Sequence, residues 1–412
     1  MDFTPCQIKA LLELKTNKNC FVTGFAGTGK SFLIRQFIKG LDRKTFPVLA
    51  STGVSAVIIG GRTFHSFFGL GVMEGGLEAT IDRASGDRRV KSRITKTEAF
   101  VLDEVSMISG TAFTAAETLC RKIRKNRLPW GGIRVIAVGD FAQLPPVNRS
   151  GQDKDWAFLS DAWTRSAFTP LLLNTIVRTV DQEYIEVLNT VRHGDVTNKV
   201  TEYLNSKTEE WQDGFRGTCL FPLRKTTESY NNKRLAEIDS RLMTFETKYT
   251  GSQRHIDLLK KTAPIPQEIL LKESALVMTR INDPAYRYIN GSTGHVIDIN
   301  NNTLLIKLKN NREIELTRAT FSLLDADGEE VASATNFPVN LAYATTIHKS
   351  QGTTLSDLMI DLKRLWEPGQ AYVALSRLES GEGLKLSGWS PSSIKADPQV
   401  LLFHQKLLSE SQ

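Results

Sequence analysis

Along the first half of the chain, short continuous apolar runs alternate with segments whose apolar positions recur at helical spacing. Behind Thr4 and Pro5, residues Ile8, Leu11, Leu12 and Leu14 fall on one side of a helix. Thr4 and Gln7 have capping-box spacing, and Pro5 takes the first helical position. The bounded run 20–23 reads as a buried strand, and Leu33, Ile34, Phe37, Ile38 and Leu41 form a helical face behind it. The runs 47–50, 99–102 and 133–138 repeat the strand signal, which is the order of an open α/β sheet. A second α/β unit is expected after about residue 165, with strands at 219–223, 275–279, 358–361 and 384–386, and with 343–350 and 370–378 as helix or loop between them. Between Gly294 and Val339 the period falls to two, as in Leu304-Leu305-Ile306-Lys307-Leu308-Lys309 and Glu313-Ile314-Glu315-Leu316. With the turn formers Asn300-Asn301-Asn302 and Asp325-Ala326-Asp327-Gly328, this reads as a small antiparallel barrel inserted into the second unit.

Composition narrows the class. A chain of 412 residues is too long for one core, so roughly two to four units are expected. Hydrophobic residues are 41% and charged residues 24%, which excludes a disordered chain. The net charge of +7 favours an anionic partner. Part of it is concentrated in 69–96, where glycines and acids give way to Arg83, Arg88, Arg89, Lys91, Arg93 and Lys96; this is either a solvated face or a nucleic-acid contact on a small insertion. Cys6, Cys20, Cys120 and Cys219 lack C-x-x-C spacing and read as reduced thiols. The N-terminus has neither the basic nor the apolar region of a leader, and no apolar run approaches the roughly 18 residues of a membrane span, so the expectation is a cytoplasmic protein with no membrane partner. The six histidines never take metal-ligand spacing, so no metal is expected beyond a nucleotide's Mg²⁺.

The candidate chemistry begins where the first strand meets its helix, at Gly24-Phe25-Ala26-Gly27-Thr28-Gly29-Lys30-Ser31, a complete G-x-x-x-x-G-K-[ST] phosphate cradle. Glycines let consecutive N–H groups and the helix N-terminus face an anion, Lys30 can reach the β- and γ-phosphates, and Ser31 can hold Mg²⁺. The run 99–102 ends in Asp103-Glu104, a Walker B pair in which Asp103 would orient Mg²⁺ and Glu104 would polarise the attacking water. A third strand ends in Gly139-Asp140-Phe141-Ala142-Gln143-Leu144-Pro145-Pro146, where the Gln143 amide can sense a γ-phosphate. Gln7 has two readings, the cap or an amide that reads the adenine edge. Ser51-Thr52-Gly53 suits either a phosphodiester backbone or a helix cap, and 63–68 is either a core helix or an aromatic and histidine ligand surface.

The ordered set of these motifs resembles the superfamily 1 DNA helicases, most closely the petite-integration-frequency (Pif) family of 5′-to-3′ helicases. The resemblance rests on 3–7, GFAGTGKS, 51–71, LDEVSM, GDFAQLPPV, YATTIHKSQGTTL and GQAYVALSR. It also rests on 120–133, which is similar to that family's signature between its Walker B and third motifs. The resemblance implies two RecA-like P-loop domains, 1–68 with 97–165 and 166–293 with 340–390. It further implies a wedge insertion at 69–96, an SH3-like β insertion at 294–339 and a helical tail at 391–412. ATP and Mg²⁺ would be the cofactors. Gln7, Gly27, Thr28, Gly29, Lys30, Ser31, Gln351 and Gly352 would bind the nucleotide, Asp103 and Glu104 would serve metal and base, and Gln143 would meet the γ-phosphate. Arg178 and Arg377 fall where the second lobe supplies arginine fingers, although Thr179 stands where the family usually has glutamine. Single-stranded DNA would run past Thr52, Gly53, Phe64, His65, Pro145, Asn282, Thr346, His348 and Lys349. The implied partners are single-stranded DNA and 5′-tailed duplex or forked DNA, with the chain active as a monomer and of the bacterial or phage minimal type. A nucleic-acid-stimulated ATPase or RNA helicase that remodels complexes is the alternative.

Overall fold

In the computed structural model, which describes residues 3–59, 61–71, 73, 75–146, 154–211, 214–283, 287–324 and 329–410, the apolar runs of the first half align as one six-stranded parallel sheet. Its elements are α1 (Pro5–Leu14), β1 (Cys20–Gly24), α2 (Lys30–Phe37), β2 (Val48–Ala50), α3 (Gly53–Ile58), β3 (Arg62–Thr63), α4 (Phe64–Phe67), α5 (Gly76–Gly86), α6 (Arg88–Lys96), β4 (Ala99–Asp103), α7 (Gly110–Arg124), β5 (Arg134–Val138), α8 (Asp161–Ser166) and β6 (Thr169–Leu173). Strand order is β3-β2-β4-β5-β1-β6.

Alternation along β1 divides the core between the two faces of this sheet. Cys20 and Val22 pack with Val101, Ile136, Val138 and the α2 residues Leu33 and Ile34 on one face. Phe21 points the other way, into aromatic rings that include Phe141, 5.6 Å away, and Trp163, 5.1 Å away. The C-terminal helix Pro398–Glu410 completes that face: Phe403 stacks on Phe158 at 4.4 Å and meets Phe141 at 5.5 Å.

The chain divides into two units, Met1–Arg178 with Leu323–Val331 and Pro398–Gln412, and Thr179–Ser322 with Ala332–Asp397. The expected boundary near 165 is therefore corrected to the residues after Arg178. Thr169 to Leu173 belong to the first sheet, in parallel register with Cys20 to Gly24. Pro170 inside the run disguised it, yet an edge strand tolerates a proline. In the basic insertion, α5 and α6 turn Arg93 inward, over the Phe67 ring at 5.6 Å, while Arg83 donates to Leu70 O. Arg93 is thereby removed from the expected basic face, because helical period sends some cations of any run toward the core, while Arg83 stays exposed.

The second unit holds a four-stranded parallel sheet ordered Ala344–Thr346, Thr218–Phe221, Leu358–Leu362 and Leu384–Trp389. The segment expected as helix or loop at 343–350 thus contributes a strand. The run 275–279 leaves the parallel sheet to which it was assigned. Leu276–Thr279 pairs antiparallel with Thr293–Ile299 and Val339–Leu341, inside a five-stranded sheet that continues through Thr303–Leu308 and Glu313–Thr317. A short run buried on both faces has no period, so nothing local tells which sheet it joins. The turn 325–328 lies outside the described residues. Among the described residues, no helix is long and apolar enough to cross a membrane.

Because Phe403 caps the aromatic face from the far end of the chain, Phe403→Ala is expected to cost about 2–3 kcal/mol of unit 1 stability, slightly below the range for a fully buried phenylalanine. Denaturant unfolding measures it, and a loss under about 0.5 kcal/mol, the range of ordinary surface changes, would show that the helix adds nothing.

Candidate nucleotide and nucleic-acid site

The cradle hangs from the carboxyl end of β1. Gly27 has φ +81° and Gly29 has φ +78°, left-handed values that glycine adopts without a Cβ clash. Space is as limiting as torsion, since a Cβ on Gly27 would lie 2.6 Å from Arg178 Cβ. Gly27 O accepts hydrogen bonds from Val177 N at 2.8 Å and Arg178 N at 3.2 Å, so the segment after β6 lies directly on the loop. Lys30 Nζ donates to Gly24 O at 2.9 Å and Phe25 O at 3.1 Å, which holds the ammonium over the loop, and Ser31 is exposed in the first turn of α2.

Gln7 is 2% exposed and joins α1 to this loop. Its Oε1 accepts from Thr4 N at 3.0 Å, closing the capping box, while its Nε2 donates to Thr28 O at 2.9 Å. Thr28, fully buried, donates through Oγ1 to Phe25 O at 2.9 Å.

At the end of β4, two strands from β1 in the sheet, burial pushes the Asp103 carboxyl up from its usual range, while the Glu104 N–H and the charges of Lys30 and Arg35 pull it back. Asp103 Oδ1 accepts from Glu104 N at 3.0 Å. Glu104 itself has φ +53° and ψ +48°, a left-handed conformation that costs a non-glycine residue on the order of 1 kcal/mol or more. Gln143 is buried in the turn after β5, where its N–H donates to Asp140 O at 3.0 Å.

Arg178 lies in unit 1, beside the cradle, and not in the second lobe where it was expected. Arg377 is in unit 2 and is 2% exposed. Its Nε donates to Val373 O at 2.7 Å, Nη1 to Ser350 O at 3.4 Å and Nη2 to Ser376 Oγ at 2.8 Å. These bonds tie the helix Gln370–Leu375 to the turn after strand Ala344–Thr346. In that turn Thr346 Oγ1 accepts from Lys349 N at 3.2 Å, and Gln351 N donates to His348 O at 3.3 Å. Gly352 follows at φ +75°. His348 and Lys349 are exposed, yet crowding by protein lowers both pKa values, helped at Lys349 by the charges of Arg224 and Arg280.

The remaining candidates are dispersed. Thr52 caps α3, accepting from Ser55 N at 3.2 Å, and Gly53 is the first residue of that helix. Phe64 is fully buried, 4.9 Å from Phe68, so the core-helix reading replaces DNA contact at this position: the one-turn helix α4 turns the ring inward. His65 beside it is half-buried, with its pKa lowered by burial. Pro145 is buried, and Asn282 Oδ1 accepts from Asn290 N at 3.1 Å.

The 120–133 signature is fastened to its surroundings through Glu117, a residue just before it that the sequence did not single out. Glu117 is fully buried, paired with Arg165 at 2.8 Å and Arg121 at 3.8 Å, and accepts from Trp130 N at 3.4 Å. Arg124 Nη1 ties the end of α6 through Ile94 O at 3.1 Å and Thr97 O at 2.7 Å. A lone glutamate among helix positions gives no sign that its partners lie 13 and 48 residues away.

Glycine at 104 should relieve the left-handed strain. Glu104→Gly is expected to be about 1 kcal/mol more stable than Glu104→Ala, both lacking the carboxylate. Paired thermal or denaturant unfolding checks this, and equal stability would remove the strain.

A family model described as "PIF1-like helicase" matches residues 7–202. A Bdellovibrio bacteriovorus protein named ATP-dependent DNA helicase Pif1 is 50% identical over 98% of this chain and 92% of its own length. A Danio rerio protein named ATP-dependent DNA helicase PIF1 is 34% identical over 98% of this chain, which spans 64% of that relative. The crystal structure of Bacteroides sp Pif1 in complex with ADP-AlF4 matches with a TM-score of 0.87 at 27% identity, covering 100% of this chain and 98% of that one. With cradle, Walker B pair and signature in place on one sheet, and with identity of this extent along nearly the whole chain, the protein belongs to the PIF1-like helicase family.

Proposed function

We propose that this protein is an ATP-dependent DNA helicase that translocates 5′ to 3′ on single-stranded DNA and opens 5′-tailed or forked duplex, a single chain being the active unit. The observation that carries the reading is the convergence of Lys30, Asp103 and Glu104 at the carboxyl ends of β1 and β4, in a chain half identical to a protein named ATP-dependent DNA helicase. The Bacteroides relative's structure bound to ssDNA supports DNA as the polymer.

In this reading the N–H groups of 27–31 and the Lys30 ammonium hold the nucleotide phosphates, with Gln7, Gln351 and Gly352 completing the nucleotide site. The Ser31 hydroxyl and Asp103 carboxylate offer hard oxygen donors that fit Mg²⁺. When bound, the ion would neutralise charge on the phosphates. Glu104 would take the proton of the attacking water, Gln143 would sense the γ-phosphate, and Arg178 would approach from the cradle's own unit. On unit 2, Thr346, His348 and Lys349 would meet the strand, with Thr52, Gly53, His65, Pro145 and Asn282 as further DNA residues, and exposed cations of α5 and α6 would serve as the wedge.

Strand displacement with 5′-tailed, 3′-tailed and RNA duplexes tests the function. Opening from a 5′ DNA tail with DNA-stimulated ATP turnover is expected; turnover indifferent to oligonucleotide, or opening only from a 3′ tail, counts against it. Rates proportional to enzyme concentration on a single-site substrate are the mark of a monomer.

Arg377→Lys is expected to lower DNA-stimulated kcat on the order of 10³-fold while nucleotide affinity stays near normal, because a guanidinium fork matches the equatorial oxygens of the transferring phosphoryl group and an ammonium does not. Lys30→Ala should weaken affinity and turnover together. Side-by-side binding and turnover, with a thermal midpoint to register the lost bonds to Val373 and Ser350, decide the case: near-normal turnover in Arg377→Lys leaves the arginine as a structural tie.

A further inference from the structure

Several buried or partly buried arginines in this protein donate to backbone carbonyls. Arg377 reaches Val373 O and Ser350 O, and the partly buried Arg124 and Arg134 reach Ile94, Thr97, Lys18 and Leu14 carbonyls. Arg280 differs from these. It follows strand Leu276–Thr279, its own N–H is fixed to Pro338 O at 2.8 Å, and its side chain is 5% exposed. Among the described residues its guanidinium meets only Met278 Sδ, 3.8 Å from Nη1, Nε finds no acceptor, and no carboxylate pairs with it. Burial pushes its pKa down to about 10, a sign of a charge held without compensation.

A second cation shares the neighbourhood. Among the described residues Lys349 has no carboxylate at ion-pair distance, and the charges of Arg224 and Arg280 both act on it to favour loss of its proton. The nearby acid, Glu228, is engaged by Arg224 Nε at 2.6 Å. Two cations that repel one another, one of them buried, cost the folded protein stability that an apolar side chain at 280 would spare. Such an arrangement persists where an anion supplies the missing charge, and guanidinium and ammonium groups both suit phosphate oxygens.

We propose that Arg280 and Lys349 together hold one backbone phosphate of the tracked DNA strand, with Arg280 as the rigid, buried half of the clamp. The assignment rests on the helicase reading above and adds a residue that no motif points to. Lys349 follows Thr346 and His348, the unit-2 residues placed on the strand, so the anion assigned is a DNA phosphodiester; nucleotide affinity distinguishes it from a nucleotide phosphate.

The test compares Arg280→Met, which keeps volume and removes charge, with Arg280→Lys, which keeps charge. Readouts are binding of a fluorescent single-stranded oligothymidylate over a salt series, nucleotide affinity and the thermal midpoint without DNA. Arg280→Met should bind the oligonucleotide about tenfold more weakly at low salt. Its slope of log affinity against log salt should fall by about 0.7, the counterion release of one phosphate on a single strand. Its thermal midpoint should equal or exceed that of the unaltered protein, and Arg280→Lys should keep the slope. An unchanged slope in Arg280→Met, or a lowered midpoint with normal DNA binding, assigns Arg280 to packing and overturns the clamp; loss of nucleotide affinity with DNA binding intact assigns the anion to the nucleotide and overturns it as well. If the unaltered protein fails to bind the oligonucleotide, the helicase reading itself falls, and the clamp with it.

Discussion

The shape of one loop constrains the rest of unit 1. A phosphate cradle works only if successive backbone N–H groups converge, which requires left-handed torsions at Gly27 and Gly29 and bare backbone at Gly27, where no side chain fits beside Arg178. Left-handed glycines alone would give a flexible loop. Rigidity comes from clamps on its two carbonyls: Val177 and Arg178 donate to Gly27 O, and Gln7 donates to Thr28 O. One clamp comes from the segment after the edge strand β6 and the other from the first helix, so the cradle's geometry depends on the whole sheet being assembled. Gln7 takes part in a helix cap and a loop clamp at once, a geometric link between α1 and any nucleotide held by the loop.

Charge is handled differently at different places. In unit 1, the buried Glu117 is matched by Arg121, Arg165 and the Trp130 N–H, so a fixed fastening sits behind the sheet. Asp103 is partly buried, lies within the field of Lys30 and stands beside a strained Glu104, so the carboxylate pair is held in place by its surroundings and not by relaxed local geometry. In unit 2, Arg280 and Lys349 lack acidic partners among the described residues. The matched Glu117 belongs to the scaffold, and the uncompensated Arg280 and Lys349 form the proposed anion site.

Much of the chemistry was legible because it is local. The cradle, the Walker B pair and the capping box are each written within a few consecutive residues, and glycine, lysine and carboxylate have mechanical reasons to stand where they do. Buried parallel strands were legible too, since continuous apolar runs between helical periods leave little other choice. The class, α/β with parallel sheets, follows from that alternation alone.

Tertiary structure alone decided whatever depends on partners far along the chain. Which sheet the runs 169–173 and 275–279 join is set by pairing, and a short run carries the same apolar residues whichever neighbour it takes. That Phe64 faces the core while His65 is only half-buried depends on how one helical turn sits on the sheet. That Phe403 closes a face built around residues 21 to 163, and that Arg178 belongs with the cradle, required the fold to return the chain on itself. The presence or absence of a partner for a charge is likewise a property of three-dimensional surroundings. Arg280 and Arg377 are the same residue type in the sequence, and only the atoms around each show that one donates to backbone carbonyls and a neighbouring hydroxyl while the other meets a thioether alone among the described residues.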